Sequence, residues 1–146
     1  MNAEVLWNLF VKKTGTKHTE YDAWQFGDSP DELLRLVLTG QKTATSSLFD
    51  LYELEGEELP KVGEYSVILN SNDEATCIIK NTAVNVIPFS AVRSKHAFKE
   101  GEGDRSLLYW KSVHRRFFSD ELRTINRTFT EDLLVVLEEF EVVFCI

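Results

Sequence analysis

The sequence predicts an α+β fold: a small, curved or closed, mainly antiparallel β-barrel sheet with flanking helices. Two elements carry this prediction, an amphipathic helix between Ser29 and Gly40 and a long β-hairpin between Gly63 and Ile87. The tight hairpin joins the longest strands, which disfavours a parallel doubly wound sheet. The 146 residues contain no internal repeat and no linker-like segment. We therefore expect residues 1–146 to form a single domain.

The helix after Ser29 has the clearest start and stop signals. Ser29 is suited to cap it, Pro30 takes its first position, and Glu32 completes a capping box. An apolar stripe follows, and Gly40 stands where a left-handed terminal residue is favoured. A shorter amphipathic helix is predicted from Asn2 to about Lys12, and the polar segment 14–25 is expected to be a long connection.

The predicted sheet is centred on the hairpin, whose β-branched strands flank the turn Asn70–Asp73. Residues 48–52 are compatible with continuation of a strand after Ser47, and a helical turn is predicted after Pro88. Alternating residues near the C-terminus predict a closing barrel strand within 129–146.

An acid-bearing flexible loop is predicted over Lys95–Asp104, because it contains two glycines and three acids. Asp104 would then cap a helix from about Arg105 to Phe118. Trp110 and His114 lie on the apolar face of that helix, so both are expected in the core.

Composition limits the classes of function. A net charge of −8 argues against a broad basic groove for nucleic acid, because such grooves neutralise phosphates with Lys and Arg. A small local pocket remains compatible with this charge. No apolar run is long enough to span a membrane, and the N-terminus has no pattern of a secretory signal, so we expect a cytoplasmic protein. Cys77 and Cys145 lie in apolar runs without metal-ligand spacing and are expected to be buried free thiols.

The densest set of reactive side chains lies in Gly40–Ser47, where one lysine and four hydroxyl residues occupy six consecutive positions. The simplest interpretation is a hydroxyl-rich strand start, since Thr suits a pleated surface. A functional interpretation requires a carboxylate partner and a pocket wall from elsewhere in the chain.

Several ordered motifs resemble the ASCH domain family. They are Gly40-x-Lys42-x-x-Thr45, Pro60-Lys61-Val62-Gly63, the loop from His96-Ala97 to Glu100-Gly101-Glu102-Gly103-Asp104, and Trp24-Gln25-Phe26-Gly27-Asp28. The chain looks most similar to a longer bacterial branch long catalogued as a domain of unknown function. The resemblance covers nearly the whole chain and implies a PUA-like β-barrel with the lysine motif in a cleft.

The resemblance also implies a set of candidate functions. Relatives have been assigned to RNA binding, to RNA cleavage and to removal of the acetyl group from acetylated cytidine nucleosides. In the last group a Lys, a Thr three residues later and a Glu are catalytic, which maps onto Lys42 and Thr45. Counting from the His-Ala pair selects Glu100, whereas Glu102 lies in the same loop. Glu53–Glu58 is an insertion relative to that group.

The chemistry of this set depends on the charge state of Lys42. Thr45 supplies a hydroxyl nucleophile, and Lys42 acts as a base only as a neutral amine, which apolar burial favours and a close carboxylate disfavours. The sequence leaves open which effect prevails. The candidate substrate-binding residues belong to the lysine motif, to the predicted acid loop or to the aromatic motif at Trp24–Asp28. They are Trp24, Phe26, Gly40, Thr43, Ser46, Ser47, His96, Glu102 and Asp104.

The leading hypothesis is a domain that binds a nucleoside, nucleotide or short RNA and hydrolyses a modified nucleoside such as acetylated cytidine. The alternatives are a non-catalytic RNA- or nucleotide-binding module and a ribonuclease. The three histidines have no metal-ligand spacing, so we predict no metal and no cofactor.

Overall fold

The computed structural model describes all residues, 1–146, and contains five helices and five strands. The helices are α1 (Ala3–Thr14), α2 (Pro30–Leu38), α3 (Phe49–Leu54), α4 (Ser94–Glu100) and α5 (Leu107–Arg123). The strands are β1 (Asp22–Trp24), β2 (Ala44–Leu48), β3 (Tyr65–Leu69), β4 (Ala75–Pro88) and β5 (Leu134–Cys145). A short 3-10 turn, Phe89–Ala91, follows β4 as predicted after Pro88.

The strands form one sheet in the order β1-β3-β4-β5-β2. All pairs are antiparallel except β1 with β3, which confirms the predicted α+β class with a mainly antiparallel sheet. The two long strands, β4 and β5, pair along most of their length and curl the sheet into a half-barrel. Shifts in their register at Ile78/Ile79 and Asn81/Ala83 help β4 to bend, as β-bulges do.

The buried core packs against both faces of the curled sheet. On one face, Trp110, Phe118 and Leu122 of α5 pack with residues of β2 and β5. Elsewhere α1 covers β3 and β4, while α2 and Phe26 pack against β3, β4 and Phe140. No helix is both long and apolar enough to cross a membrane.

Several predicted boundaries were wrong. The connection 14–25 contains the three-residue strand β1, which is too short to show a period. The strand predicted to continue over residues 48–52 ends at Leu48, because helix α3 begins at Phe49. Ser29 makes no side-chain cap bond, and Glu32 instead pairs with Arg35. Cys77 is buried as expected, but Cys145 is exposed.

The predicted acid loop is largely helical. Residues Ser94–Glu100 form α4, and only the segment after Gly101 is irregular. Helix α5 is capped by Ser106, whose side chain accepts a hydrogen bond from the backbone of Tyr109, rather than by Asp104. Asp104, two residues before this cap, accepts a hydrogen bond from the backbone amide of Ser106. The short helix therefore fixes the direction of the two glutamates that the sequence placed in a flexible loop.

Candidate functional site

The lysine motif is held between the end of α2 and the end of α4. Gly40 adopts a φ of +82°, a conformation that favours glycine, and reverses the chain after α2. The backbone amide of Lys42 then donates to the carbonyl of Leu36, and the amide of Thr43 donates to the carbonyl of Lys99 at 2.7 Å. These bonds direct the Lys42 side chain into the protein, where it is only 1% exposed.

Both candidate glutamates contact Lys42. The Lys42 Nζ lies 3.4 Å from Glu100 Oε1 and 3.1 Å from Glu102 Oε2. Gly101, at a φ of +74°, ends α4 and turns the chain so that both carboxylates reach the same ammonium group. The choice between Glu100 and Glu102 that the sequence left open is therefore not exclusive.

Glu100 is the most enclosed member of this cluster. Its Oε2 lies 2.7 Å from His96 Nε2 and accepts a hydrogen bond from Trp110 Nε1 at 2.5 Å, and its Oε1 lies 3.4 Å from His114 Nε2. Burial opposes ionisation, but the charge of Lys42 and the contacts with both histidines outweigh it and hold the pKa of Glu100 well below its ordinary value. Glu100 is thus an ionised anchor.

The surroundings raise the pKa of both Glu102 and His114, but for different reasons. Burial raises the pKa of Glu102, and Glu100 adds to this effect against the opposing charge of Lys42. Burial also disfavours the charged form of His114, yet its contact with Glu100 outweighs burial and raises the pKa of His114 above the ordinary 6.5. Because the Glu102 side chain remains 17% exposed, it is the member best placed to exchange a proton with the outside.

One oxygen or nitrogen from each of Glu100, Glu102 and His114 lies within 4.8 Å of the others, a spacing that a metal ion could use. The Lys42 ammonium already contacts both carboxylates, so a metal would have to compete with a covalently attached cation. This donor set therefore fits an ammonium-centred cluster better than a metal centre.

A large cleft lies beside the cluster, with a volume of about 1020 Å³. We call it the main cleft. It is lined by the segments 20–27, 45–47 and 57–66, and by Tyr52, Asn81, Phe117, Glu121 and Glu138 among others. Thr45, Ser46 and Ser47 thus line the main cleft, whereas Lys42 does not. The Thr45 hydroxyl forms no hydrogen bond with Lys42, so the structure brings Lys42 together with the glutamates and leaves Thr45 on the cleft wall.

Phe26 links the two parts of the site. Its ring lines the main cleft, and Lys42 Nζ lies 5.5 Å from its centre, a cation–π distance. Trp24, half-buried, meets Phe26 edge-on and also lines the cleft. These two aromatic residues form the boundary between the cleft and the charged cluster.

The wall of the main cleft contains two hydrogen-bonded pairs of polar residues, of which the sequence analysis identified only Ser47. Asn81 Nδ2 donates to Glu138 Oε2 at 3.0 Å, and Ser47 Oγ lies 2.8 Å from the Tyr52 hydroxyl. Burial raises the pKa of Glu138 and raises that of Tyr52 to about 12. Successive side chains of a strand point to opposite faces, so Glu139 and Glu141 of β5 share one face and Glu138 lies on the other. This alternation in the sequence could have distinguished Glu138 from its two neighbouring glutamates.

The remaining predicted residues have mostly structural contacts. Gly40, Lys42 and Thr43 line a smaller cavity of about 370 Å³, and the Thr43 hydroxyl is 3.4 Å from the Lys99 carbonyl. Ser46 Oγ is buried and has no hydrogen-bond partner. Asp104 is exposed and contacts the backbone of Ser106 instead of the cluster.

The curled half-barrel with flanking helices defines a PUA-like domain. A sequence model of the ASCH domain matches residues 22–144, so the chain belongs to the ASCH domain family and the predicted resemblance is confirmed. No protein with a curated function matches the sequence.

Solved structures agree with this assignment. Protein EF3133 from Enterococcus faecalis V583, described as a member of the DUF984 family, is 40% identical with a TM-score of 0.90, covering 97% of this chain and 88% of its own. An ASCH domain from Lactobacillus crispatus JV V101 is 34% identical with a TM-score of 0.90, covering 96% and 92%. The hypothetical protein PH0355 shares the fold at 19% identity, with a TM-score of 0.56 over 83% of this chain and 99% of its own.

We predict that Gly101→Ala destabilises the protein more than Gly15→Ala. Both glycines end helices at nearly equal positive φ, +74° and +67°, so both alanines suffer the same backbone strain of about 1–2 kcal/mol. A methyl group at Gly101 would also collide with the Gln41 carbonyl, whereas Gly15 has free space. The clash should add about 1–3 kcal/mol to the loss in unfolding free energy, measured in urea. Equal losses for the two variants would contradict the close contact between position 101 and the Gln41 carbonyl.

We predict that the stabilisation provided by His114 decreases as pH rises. A group whose folded-state pKa is raised stabilises the fold fully below its unfolded pKa, near 6.5, and loses this effect as pH passes the folded-state value. The difference in unfolding free energy between wild type and His114→Gln should therefore shrink as pH rises from the ordinary histidine pKa of 6.5 through the raised folded-state value. His18→Gln, which removes an exposed imidazole remote from Glu100, is the control. A difference that grows with pH would contradict the assignment.

Proposed function

We propose that this ASCH domain binds a nucleoside in the main cleft and hydrolyses an amide carried by it. The observation that carries the proposal is the hydrogen-bonded pair of Lys42 and Glu102, 3.1 Å apart, beside a large cleft with aromatic walls. An ammonium next to a carboxylate of raised pKa supplies both a stabiliser of negative charge and a proton carrier.

The lining of the main cleft favours a substrate with little phosphate. Seven acidic side chains line it: Glu20, Asp22, Glu57, Glu58, Glu64, Glu121 and Glu138. Lys61 is the only lysine or arginine among its lining residues. A chain of phosphates would meet net repulsion there, whereas an uncharged nucleoside would not. This supports a small substrate over a long RNA.

The proposed reaction uses each charged residue in one role. Glu102 accepts a proton from a water molecule as the oxygen attacks the amide carbonyl, and the Lys42 ammonium stabilises the resulting oxyanion. Glu102 then returns the proton to the leaving nitrogen as the C–N bond breaks, which gives a carboxylic acid and an amine. Glu100 pairs with Lys42 and holds its side chain in place.

From the main cleft, access to this pair requires movement of Phe26, while Lys42 also lines the smaller cavity. Lys42 is 1% exposed, and Phe26, 4% exposed, lies between its ammonium and the main cleft. Thr45 on the cleft wall would contact the substrate before its amide reaches Glu102. Its role is thus substrate contact or, after rearrangement, nucleophilic attack.

The same burial favours a second function, a binding module without catalysis. An ammonium that is enclosed by two carboxylates and excluded from the cleft can serve purely to hold α2 against α4. In that case the cleft alone would bind the nucleoside or a nucleotide of a short RNA.

The proposal predicts that the protein releases acetate from N4-acetylcytidine and that Glu102→Gln lowers kcat by about 10²–10⁴-fold. Thr45→Val should weaken turnover, while Thr128→Val, an exposed threonine without side-chain hydrogen bonds, should not. Gln preserves the shape of Glu102, and a urea titration confirms that each variant is folded.

Three outcomes separate the alternatives. Turnover that survives both Glu102→Gln and Thr45→Val removes this site from the reaction. Nucleoside binding without turnover supports the binding module, and cleavage of a short RNA that is lost in Glu102→Gln supports a ribonuclease. Absence of nucleoside binding and of both activities would contradict the proposed function entirely.

A further inference from the structure

We propose that Glu138 and Asn81 form a recognition point in the main cleft for the exocyclic amino group of a nucleobase without phosphate, the group that the proposed amide hydrolysis frees. This inference rests on the proposed function, because it assumes that a nucleoside enters the cleft. It assigns a specificity role to two residues outside the lysine motif.

The strand pairing brings these two residues together. Glu138 on β5 lies directly opposite Thr45 on β2, so both side chains point to the same face of the sheet. Asn81 lies where the pairing of β4 with β5 shifts by one residue, and this irregularity lets its amide reach Glu138. The predicted nucleoside contact Thr45 and this pair therefore share one wall of the cleft.

The pair leaves two hydrogen-bond acceptors unused. Asn81 Nδ2 donates to Glu138 Oε2, which fixes the orientation of the amide and leaves Asn81 Oδ1 and Glu138 Oε1 without a partner in the chain. Both residues line the cleft, although Asn81 is only 5% exposed and Glu138 only 9%. Ser46 Oγ is the only buried polar side-chain atom without a partner, so these two oxygens are reachable from the cleft and are free to accept hydrogen bonds from a ligand.

Two adjacent acceptors select among ring substituents. An exocyclic amino group donates two hydrogens and suits them, as carboxylates accept from the amino group of cytosine in nucleic-acid complexes. An oxo group at the same position presents a lone pair and would face a carboxylate. Uridine and inosine carry an oxo group in place of the amino group and a single N–H at the neighbouring ring nitrogen, so they can satisfy at most one of the two acceptors. Cytidine and adenosine should therefore bind better than uridine and inosine.

The charges around the pair exclude phosphate. Glu64 and Asp22 line the same cleft and act electrostatically on Glu138, raising its pKa in addition to the effect of burial. A phosphate on the ligand would be repelled by these carboxylates. Half-buried Trp24 offers an aromatic face on which a base can stack.

Calorimetric binding of cytidine, uridine, adenosine, inosine and cytidine monophosphate tests this inference. Wild type should bind the amino compounds about tenfold more tightly than their oxo counterparts, and cytidine more tightly than its monophosphate. Glu138→Gln, which keeps the shape but adds an amide donor, should remove or invert the preference. Glu139→Gln is the matched control, since Glu139 is the next residue on β5, binds Lys99 and does not line the cleft.

Each result has a separate meaning. If wild type binds nucleosides but Glu138→Gln leaves the amino-to-oxo ratio unchanged, or weakens all ligands equally, the recognition role is wrong and the proposed function stands. If cytidine monophosphate binds as tightly as cytidine, the exclusion of phosphate is wrong. If no nucleoside binds while spermidine does, the cleft takes an organic cation, and both proposals fail.

Discussion

The Lys42 ammonium is the interaction on which the surrounding structure depends. It lies within 3.5 Å of carboxylate oxygens from two glutamates, one of which, Glu100, is only 1% exposed. Removing one partner from a buried ion pair costs about 3–5 kcal/mol, because the remaining charge has no compensation. The ammonium therefore ties the chain after α2 to the end of α4, and the two histidines and Trp110 complete the enclosure of Glu100.

This arrangement separates the charged cluster around Lys42 from the main cleft. The cluster of Lys42, Glu100 and Glu102 is enclosed, whereas Thr45 and Glu138 lie on the wall of the main cleft, and Phe26 contacts both regions. Phe26 thus lies at the boundary between the main cleft and the charged cluster, whereas Lys42 also lines the smaller cavity with Gly40 and Thr43.

Much of the fold was predictable because local signals agreed with it. The hairpin turn, Pro30 and Gly40 each act within a few residues, and the alternation near the C-terminus identified the closing strand. Local signals also misled: two glycines and three acids indicated a loop over Lys95–Asp104, but Ala97 and Glu100 are buried and tertiary packing makes the segment helical. The contact of Lys42 with both glutamates depends on that helix. The meeting of Asn81 with Glu138 depends on a shift in strand pairing, which no sequence period reports.

The most direct test of the central claim is a double-mutant cycle on unfolding free energy. Lys42→Met should destabilise the protein by about 3–5 kcal/mol, because the buried Glu100 and the half-buried Glu102 both lose their cation. Adding Glu102→Gln to Lys42→Met should restore part of that loss, since one uncompensated charge is removed while the shape is kept. Restored stability would confirm that Lys42 balances the buried charge. Losses that simply add, with the double variant less stable than Lys42→Met alone, would contradict it.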